Sequence, residues 1–347
     1  MSESRRLGRS NGEPAVPASG WLGSSDSGPP DSSTWGPTAD WPALRLRAEL
    51  LRRTRDFFDR RGFLEVETPL LSADTVVDRH LDPFAVRVGK QVCYLQTSPE
   101  FAMKRLLVAG GKAIYQITKA FRQEELGPLH NPEFTLVEWY RAGDGLAEGM
   151  NLLDELCQAV LQWGPARQLS YRQAFLEHAR IDPLTASLSA LRVTASRTGT
   201  PPESLRHDDR DGWLDLLLFE QVQPHLGQDR PAILYDYPAS QSALARIREE
   251  DPPVAERFEL FVAGLELANG YHELLDPQVL RRRNATNNAA RVADGKQPLP
   301  EHSRLLAAME AGLPQAAGVA LGFDRLVMVA AGADRLDQVM PFPFDRA

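Results

Sequence analysis

The sequence predicts an α+β fold in which helices flank a mostly antiparallel sheet. Polar and apolar side chains alternate through residues 113–124 and again through residues 134–140, a pattern typical of two strands joined by a long loop. Apolar residues recur instead at helical spacing after Trp41 and through residues 326–331. These two periodicities predict an antiparallel hairpin inside a sheet, with helices packed on it.

Length and composition indicate a globular protein. The chain has 347 residues, of which 43% are hydrophobic, and a formal net charge of -8. That charge argues against a broadly basic surface that would bind nucleic acid by neutralising phosphates. No apolar run reaches the roughly 20 residues that span a bilayer, and no secretory signal is recognisable at the N-terminus. We therefore expect a cytoplasmic protein that does not contact a membrane.

The chain divides into a tail and one folded region. Residues 1–40 are dominated by Ser, Gly, Pro and Thr, so we predict a disordered tail that cannot bury enough apolar surface to become ordered. The folded domain is expected over residues 41–347, beginning with a helix that ends near Gly62. A short strand over residues 63–68 follows. Residues 150–230 have a largely helical pattern without a chemical motif, which indicates an inserted helical subdomain.

A helix that starts with polar residues is expected next. Ser98 suits a cap and Pro99 suits the first helical position, which puts Glu100 in the first turn. Gly110 can end this helix. In the two hairpin strands that follow, the alternation places a set of side chains on a polar face. The side chains expected there are Gln116, Thr118, Arg122, Glu124, Phe134, Leu136, Glu138 and Tyr140.

Residues 256–273 have a strand-like pattern with local irregularities. Gly264 and Gly270 indicate turns or bulges inside this segment. Three glutamates in this segment are spaced by seven residues. On a helix they would form a stripe, whereas on a perfect strand they would alternate between the two faces. Bulges inside a strand would change that alternation. These glutamates are Glu259, Glu266 and Glu273. The last predicted element is a glycine-rich strand over residues 318–325, which leads into the helix at residues 326–331.

Arg122 is the first candidate for a chemical role. Its guanidinium fork, beside Glu124 on the polar face, can bind a carboxylate and a phosphate oxygen at once. The activation of a carboxylate by ATP needs such a group, because the carboxylate attacks the α-phosphorus and two anions must be held together. The alternative is a solvated surface arginine.

Several segments together resemble the class II lysyl-tRNA synthetases. Their matching segments are residues 121–125, 130–135 and 138–140 for motif 2, residues 318–325 for motif 3 and residues 62–69 for motif 1. The motifs occur in the order of that family, and the resemblance covers residues 41–347. In that family motif 1 lies at the dimer interface, so the resemblance implies a homodimer.

The resemblance implies an ATP site with two catalytic arginines. Arg122 would bind the α-phosphate and the substrate carboxylate, and Arg325 would cover the other side of the nucleotide. Glu124 would accept a hydrogen bond from the adenine amine, while Phe134 would stack on the base. The further implied ATP contacts are Gln123, His130, Asn131, Glu266, Leu267 and Gly322. For His130 the residue pattern leaves an alternative, a solvated loop histidine.

A metal ion is implied as well. In similar synthetases the positions that match Glu259 and Glu266 bind magnesium, which bridges the ATP phosphates and offsets their charge. On charge pattern alone, a solvated stripe of acids is the alternative for these residues.

A group of carboxylates points to the amino-acid substrate. Glu100, Glu138 and Glu273 would converge if the hairpin and the later strands share one sheet. Carboxylates in one pocket repel each other unless a cation is present, which predicts a ligand with two ammonium groups, lysine or an isomer of it. The resemblance implies substrate contacts at Ser98, Pro99, Glu100, Glu138, Tyr140, Asn269, Glu273 and Ala320.

Two departures from the lysyl-tRNA synthetases refine the function. Those enzymes carry an N-terminal anticodon-binding barrel, whereas the first 40 residues here have the composition of a tail. Ala320 stands where they usually have glycine. Both features resemble the elongation factor P lysine ligases, truncated paralogues that attach (R)-β-lysine to a lysine of that translation factor. The resemblance implies an adenylate and then an amide, with elongation factor P rather than tRNA as the acceptor.

Two other functions remain possible at this level. The first is a stand-alone lysyl transferase acting on tRNA or a small amine, for which residues 281–283, three arginines, would be either an RNA contact or a solvated helix face. The second is a non-catalytic sensor of a nucleotide or an amino acid. Retention of the charged groups of the predicted site favours catalysis. They are Arg122, Glu124, Glu259, Glu266 and Arg325.

Overall fold

The computed structural model describes residues 35–197, 199, 201–202 and 205–347. The predicted tail therefore lies outside the described residues as far as position 34. The first long helix starts after Asp40, whose carboxylate accepts a hydrogen bond from the Ala43 amide at 2.8 Å. Within the described part of the chain, no helix is both long enough and apolar enough to cross a bilayer.

Helices and strands are interspersed along the described residues. The helices are α1 (Trp41–Asp59), α2 (Glu100–Val108), α3 (Leu146–Leu161), α4 (Tyr171–His178), α5 (Leu188–Ala195), α6 (Arg210–Leu217), α7 (Pro277–Ala293), α8 (Arg304–Gly312) and α9 (Phe323–Ala331). The strands are β1 (Leu64–Glu65), β2 (Leu71–Ser72), β3 (Ala85–Val88), β4 (Gln91–Leu95), β5 (Ala113–Phe121), β6 (Glu133–Ala142), β7 (Arg167–Ser170), β8 (Ala232–Pro238), β9 (Ile247–Arg248), β10 (Val254–Val262), β11 (Leu265–His272) and β12 (Ala316–Gly322).

One large sheet organises the fold. Its strand order is β1-β5-β6-β12-β11-β10-β8-β7, and β9 pairs with β10 beside this path. Only the outer pairs β1–β5 and β7–β8 are parallel among the described strands, whereas the central ladders are antiparallel. A small separate sheet has the order β2-β4-β3. The predicted α+β class with a mostly antiparallel sheet is therefore confirmed.

The predicted hairpin is present as β5 and β6. Their register runs from Ala113 opposite Arg141 to Phe121 opposite Glu133. Tyr115 and Trp139 face α1, where the Phe58 ring stacks on Tyr115 with centroids 4.5 Å apart. Burial of these large rings stabilises the packing of α1 on one face of the sheet. Because successive side chains of a strand point to opposite faces, the alternate, polar positions lie on the other face.

Strands β10 and β11 carry Glu259 and Glu266, and Glu273 follows β11. Ala263 and Gly264 connect them in a tight turn, with positive φ angles of 49° and 74°. The register shifts between Leu260 and Phe261, which is the bulge that changes the alternation. Gly270 lies inside the regular strand rather than at a turn. A Cβ atom there would overlap the Phe258 ring, so glycine permits the close packing of the two strands.

Three predicted boundaries differ from the structure. The strand expected over residues 63–68 is only β1, which pairs with two residues of β5. Helix α2 begins one residue later than expected, with Pro99 at the N-cap, although the Ser98 hydroxyl accepts a hydrogen bond from the Glu100 amide at 3.0 Å. Helix α9 begins at Phe323, directly after β12. Tertiary packing decides these ends, which local pattern specifies only within a few residues.

The arginine triplet lies on α7, and the expectation of a solvated face is wrong for one of its members. Arg283 is partly buried and donates hydrogen bonds to the carbonyl oxygens of Ala243 and Ala245, at 2.6 and 2.8 Å. Burial lowers the pKa of Arg283 to about 10. Arg282 is exposed. The triplet therefore stabilises a neighbouring loop in part, and is not a uniform basic patch.

Candidate active site

A cleft of about 570 Å³ lies over the central strands of the large sheet. Strands β6, β12 and β11, which are neighbours, contribute residues to it. The lining residues are Arg122, Glu125, Leu129, His130, Asn131, Phe134, Leu136, Leu267, Asn269, Ala320, Gly322, Asp324, Arg325 and Leu336. The fold thus brings segments predicted as motifs 2 and 3 to one place, although they are far apart in sequence.

Arg122 lies directly after β5 and is buried in the cleft. Its guanidinium is 3.5 Å from the Glu125 carboxylate and 4.9 Å from the centroid of the Phe134 ring. Its backbone amide donates to the Pro132 carbonyl at 2.9 Å, which ties the two ends of the hairpin loop together. A buried guanidinium over an aromatic ring is suited to bind an anion beside a flat base.

Arg325 lies in the first turn of α9 and connects three segments of the cleft. It donates to His130 Nε2 at 2.7 Å and to the Glu266 carbonyl at 3.0 Å. A weaker contact reaches the Leu129 carbonyl at 3.4 Å. His130 is therefore a cleft residue in contact with Arg325, and not a solvated loop histidine. Both arginines line one cleft.

Asn131 is also buried in the cleft, where it fixes the backbone around it. Its side-chain amide donates to the Glu133 carbonyl at 2.6 Å and its oxygen accepts from the Phe344 amide at 2.9 Å. These contacts join the hairpin loop to the C-terminal segment. Gly322 and Leu267 line the same cleft.

Three residues predicted as nucleotide contacts, Gln123, Glu124 and Glu266, lie outside the lining. Gln123 and Glu124 are exposed, and Glu124 has a φ angle of 64° in the loop after β5. The Gln123 amide donates to the Asp82 carbonyl at 2.7 Å. In this loop, the carboxylate that lines the cleft is that of Glu125. Sequence reasoning did not select it, although it is adjacent to Glu124 in the motif 2 segment.

Asp324 is a further cleft residue that the sequence analysis missed. It is buried, lies 2.6 Å from Arg47 of α1 and accepts a hydrogen bond from the Thr135 amide at 2.6 Å. Asp324 therefore connects the start of α9 to both β6 and α1. Its position directly before Arg325 in the motif 3 segment could have indicated a place in the cleft.

A cluster of buried ionisable side chains adjoins the cleft. Glu100, Glu138 and Glu273 are 1%, 0% and 1% exposed, and Lys104 is 2% exposed. Lys104 Nζ is 2.5 Å from Glu100 Oε1 and also forms an ion pair with Glu273 Oε2. We call these four residues the carboxylate cluster. The structure brings the three predicted glutamates together, and it adds a lysine that was not predicted.

Two neutral hydroxyl groups complete the surroundings of Glu138. The Ser98 hydroxyl donates to Glu138 Oε2 at 2.8 Å, and the Tyr140 hydroxyl donates to Glu138 Oε1 at 2.6 Å. Burial, followed by the charge of Glu100, raises the pKa of Glu138 to about 8. Burial raises the pKa of Glu273 to about 7, against the lowering effect of Lys104. Burial therefore opposes the ionisation of Glu138 and Glu273, and a cationic ligand would favour it.

Ala320 and Asn269 lie between the cleft and the carboxylate cluster. In the sheet, Ala320 is paired on one side with Asn269 and on the other side with Glu138. The Asn269 side chain donates to Glu259 Oε1 at 3.2 Å, while its own Oδ1 is buried and has no hydrogen-bond partner among the described residues. An unused acceptor at this position suits a donor group on a ligand.

The predicted metal residues lie on adjacent strands. Glu259 on β10 is buried and forms an ion pair with Arg257 and a hydrogen bond with the Tyr237 hydroxyl. Glu266 lies on β11 and is partly exposed. In the described residues no group of three or more His, Cys, Asp or Glu side chains surrounds a common point. Two carboxylates fit magnesium, which prefers one or two of them together with substrate phosphates and water.

The chain is similar to proteins of known family and name. A family model described as class II tRNA synthetases (D, K and N) matches residues 41–346. A protein of Salmonella arizonae named elongation factor P–(R)-β-lysine ligase is 47% identical over 323 residues, which are 91% of this chain and 99% of that protein. A protein of the same name from Edwardsiella ictaluri is 48% identical over 325 residues, with the same coverage. Another from Vibrio parahaemolyticus is 47% identical over 318 residues, covering 90% of this chain and 98% of that protein.

Proposed function

This chain belongs to the family of class II tRNA synthetases (D, K and N), and we propose that it is the ATP-dependent ligase that attaches (R)-β-lysine to a lysine side chain of elongation factor P. The observation that carries this proposal is the similarity, at 47–48% identity and nearly full length, to proteins of that name. The geometry agrees with it, because a cleft with two arginines adjoins a pocket of carboxylates.

The reaction has two steps. A carboxylate oxygen of β-lysine bonds to the α-phosphorus of ATP, and the bond between the α- and β-phosphates breaks to release pyrophosphate. The acceptor amine then attacks the acyl carbon of the adenylate, an amide forms, AMP leaves and the amine loses a proton. The chain needs no covalent nucleophile of its own for either step, since positioning and charge neutralisation supply the catalysis.

The cleft binds the nucleotide in this proposal. Arg122 bridges the α-phosphate and the substrate carboxylate. Its guanidinium is buried and lies over the Phe134 ring. Arg325, held by His130, neutralises charge on the polyphosphate. Adenine lies against Phe134. Glu124, exposed in the structure, reaches the adenine amine only if the loop after β5 closes on the nucleotide.

The carboxylate cluster binds the amino groups of the substrate. Three carboxylates and one lysine leave two negative charges, which match two ammonium groups. Asn269 Oδ1 offers another acceptor, and Ala320 separates the amino groups from the nucleotide. Lys104 supplies one of the cations that the three carboxylates require.

Glu259 and Glu266 would hold a magnesium ion, which would offset the charge of the ATP phosphates. The ion pair with Arg257 orients the carboxylate of Glu259. Glu259 and Glu266 lie on neighbouring strands, and Asn269, which contacts Glu259, lines the nucleotide cleft.

A homodimer is part of the proposal. Some exposed apolar side chains lie on strand β1, at the edge of the large sheet, and on or beside the small sheet. They are Leu64, Leu70, Leu71, Val88 and Val92. A second copy of the chain would bury them. Size-exclusion chromatography with light scattering should give a dimer, and a monomer would refute this element.

Residues 41–347 form the catalytic domain in this proposal, with residues 150–230 as an insertion. Because the acceptor is a translation factor, we place the reaction in the cytoplasm, and we expect no binding of tRNA. The alternatives, a transferase for tRNA or small amines and a non-catalytic sensor, are not favoured by the names of the similar proteins.

The first test is ATP–pyrophosphate exchange with (R)-β-lysine and with α-lysine in parallel. We expect exchange that depends on the amino acid and on magnesium, and that is faster with (R)-β-lysine. Absence of exchange with both amino acids would overturn the proposed activation step. Faster exchange with α-lysine would overturn the choice of substrate.

A further inference from the structure

Lys104 is the buried lysine of the carboxylate cluster. It lies on α2 one helical turn after Glu100, and its ammonium contacts the carboxylates of Glu100 and Glu273. It also lies 5.9 Å from the centroid of the Tyr140 ring. Burial opposes its charge, but the two carboxylates outweigh burial and hold the pKa of Lys104 above its ordinary value. It is therefore a permanent cation inside the amino-acid pocket.

The contacts of Lys104 divide the carboxylate oxygens into two sets. Lys104 contacts Glu100 Oε1 and Glu273 Oε2. Among the described residues Glu273 Oε2 has the ion pair with Lys104 but no hydrogen bond, whereas Glu100 Oε2 and Glu273 Oε1 are buried and have no hydrogen-bond partner. Buried acceptors are normally satisfied, so these two oxygens are suited to receive donors from a ligand. Lys104 thus turns each carboxylate so that one oxygen remains for the substrate.

The charge of the pocket depends on the same lysine. With all groups ionised, three carboxylates and Lys104 leave two negative charges, and Tyr140 stays neutral because burial, followed by the charge of Glu138, raises its pKa well above the ordinary value. The ionisable groups that face the pocket are Glu100 and Lys104 from α2, Glu138 and Tyr140 from β6, and Glu273 after β11. A ligand with two ammonium groups balances that charge.

We propose that Lys104 is a positioning residue that limits the charge of the ionised amino-acid pocket to two net negative charges and thereby selects a substrate with two ammonium groups. This inference rests on the proposed function, since it concerns the same pocket. It assigns to Lys104 the role of a fixed counter-ion that acts through Glu100 and Glu273 and does not itself touch the reacting atoms.

A charge series tests the inference by amino-acid-dependent ATP–pyrophosphate exchange between pH 6 and 9. With all groups ionised, the pocket of the wild type has two net negative charges, that of Lys104→Met three and that of Glu100→Gln one. The double variant, Lys104→Met with Glu100→Gln, again has two. Ionised carboxylates bind ammonium groups, so KM for (R)-β-lysine should fall as pH rises through the pKa values of the pocket. Removal of Lys104 raises those pKa values, because its charge lowers them in the wild type.

We expect the midpoint of the pH–KM profile to move up in Lys104→Met, down in Glu100→Gln, and back toward the wild type in the double variant. KM for (R)-β-lysine near pH 7 should rise about tenfold or more in Lys104→Met, while KM for ATP stays within about twofold. Lys112→Met, the same change at an exposed lysine, is the control and should match the wild type. Lys104→Arg keeps the charge and should keep the wild-type midpoint.

Several results would overturn the inference. One is a midpoint that stays in place across the series. Another is an equal rise of both KM values in Lys104→Met, which would indicate a merely structural role. If Lys104→Met does not fold, Glu100→Gln, the double variant and Lys104→Arg still give the order of midpoints. Wild-type protein without exchange would instead refute the proposed function, so the two failures are distinguishable.

Discussion

Ala320 on β12 is the direct antiparallel partner of Glu138 on β6. Ala320 lines the cleft proposed for ATP, and Glu138 belongs to the buried carboxylate cluster proposed for the amino groups of the substrate. Adjacent strands lie about 4.8 Å apart, so the two subsites are close enough for a single aminoacyl adenylate to occupy both. This pairing is the structural basis for assigning an adenylate-forming reaction to the site.

The first prediction concerns Arg122. Arg122→Ala should lower amino-acid-dependent ATP–pyrophosphate exchange by about a hundredfold or more, because a buried charged donor aimed at the reacting anions is lost. The thermal midpoint should change little if the role is chemical. Arg206→Ala, which removes an exposed arginine paired with Asp208, is the matched control and should exchange at the wild-type rate. Near-normal exchange in Arg122→Ala would contradict the assignment.

The second prediction concerns Gly318. A Cβ atom at this position would overlap both Glu273 Oε1 and the Tyr140 ring. Gly318→Ala should therefore displace the carboxylate cluster and lower kcat/KM for (R)-β-lysine about a hundredfold. Gly164→Ala is the matched control, because no atom lies within 4 Å of its added Cβ. Unchanged kcat/KM in Gly318→Ala would show that the cluster is not the amino-acid site.

The third prediction concerns Glu266. Glu266→Ala should abolish exchange at ordinary magnesium concentrations, and excess magnesium should restore part of it, because one carboxylate ligand is lost. Glu155→Ala removes an exposed glutamate that pairs with Arg61 and serves as the control. A Glu266→Ala enzyme with the wild-type dependence on magnesium would exclude this residue as a ligand.

The fourth prediction is a pH dependence of stability. The pKa of Glu138 is raised from 4.5 to about 8 in the folded chain, first by burial, so the unfolded chain loses this proton at lower pH than the folded chain does. The free energy of unfolding should consequently fall as pH rises from about 5 to about 8. Glu138→Gln cannot ionise and should lose this contribution. In urea titrations, the wild type should become less stable relative to Glu138→Gln as pH rises, whereas a constant difference would refute the shift.

Much of the fold could be predicted from local pattern. The alternation in residues 113–124 and 134–140 predicted the hairpin that became β5 and β6, and helical spacing predicted α1. The convergence of Glu100, Glu138 and Glu273 depended on the family resemblance, since no local pattern relates residues so far apart in sequence. Local pattern is weakest at element ends, as at β1.

Other features could not be predicted because they depend on contacts between distant segments. Lys104 follows Glu100 by one helical turn, which was a usable signal, but its ion pair with Glu273 exists only in the folded chain. The same holds for Asp324, whose contacts are Arg47 and the Thr135 amide. Arg283 was expected in solvent, and only the position of the loop at residues 243–245 shows why it is partly buried.

The most direct test of the account is transfer of the amino acid to the acceptor protein. Purified chain, ATP, magnesium and (R)-β-lysine are incubated with elongation factor P, and intact-mass spectrometry follows the acceptor while AMP is measured. We predict a mass increase of one β-lysyl group on a single lysine, with one AMP formed for each acceptor modified. Formation of the adenylate with no change in the mass of elongation factor P would contradict the central claim.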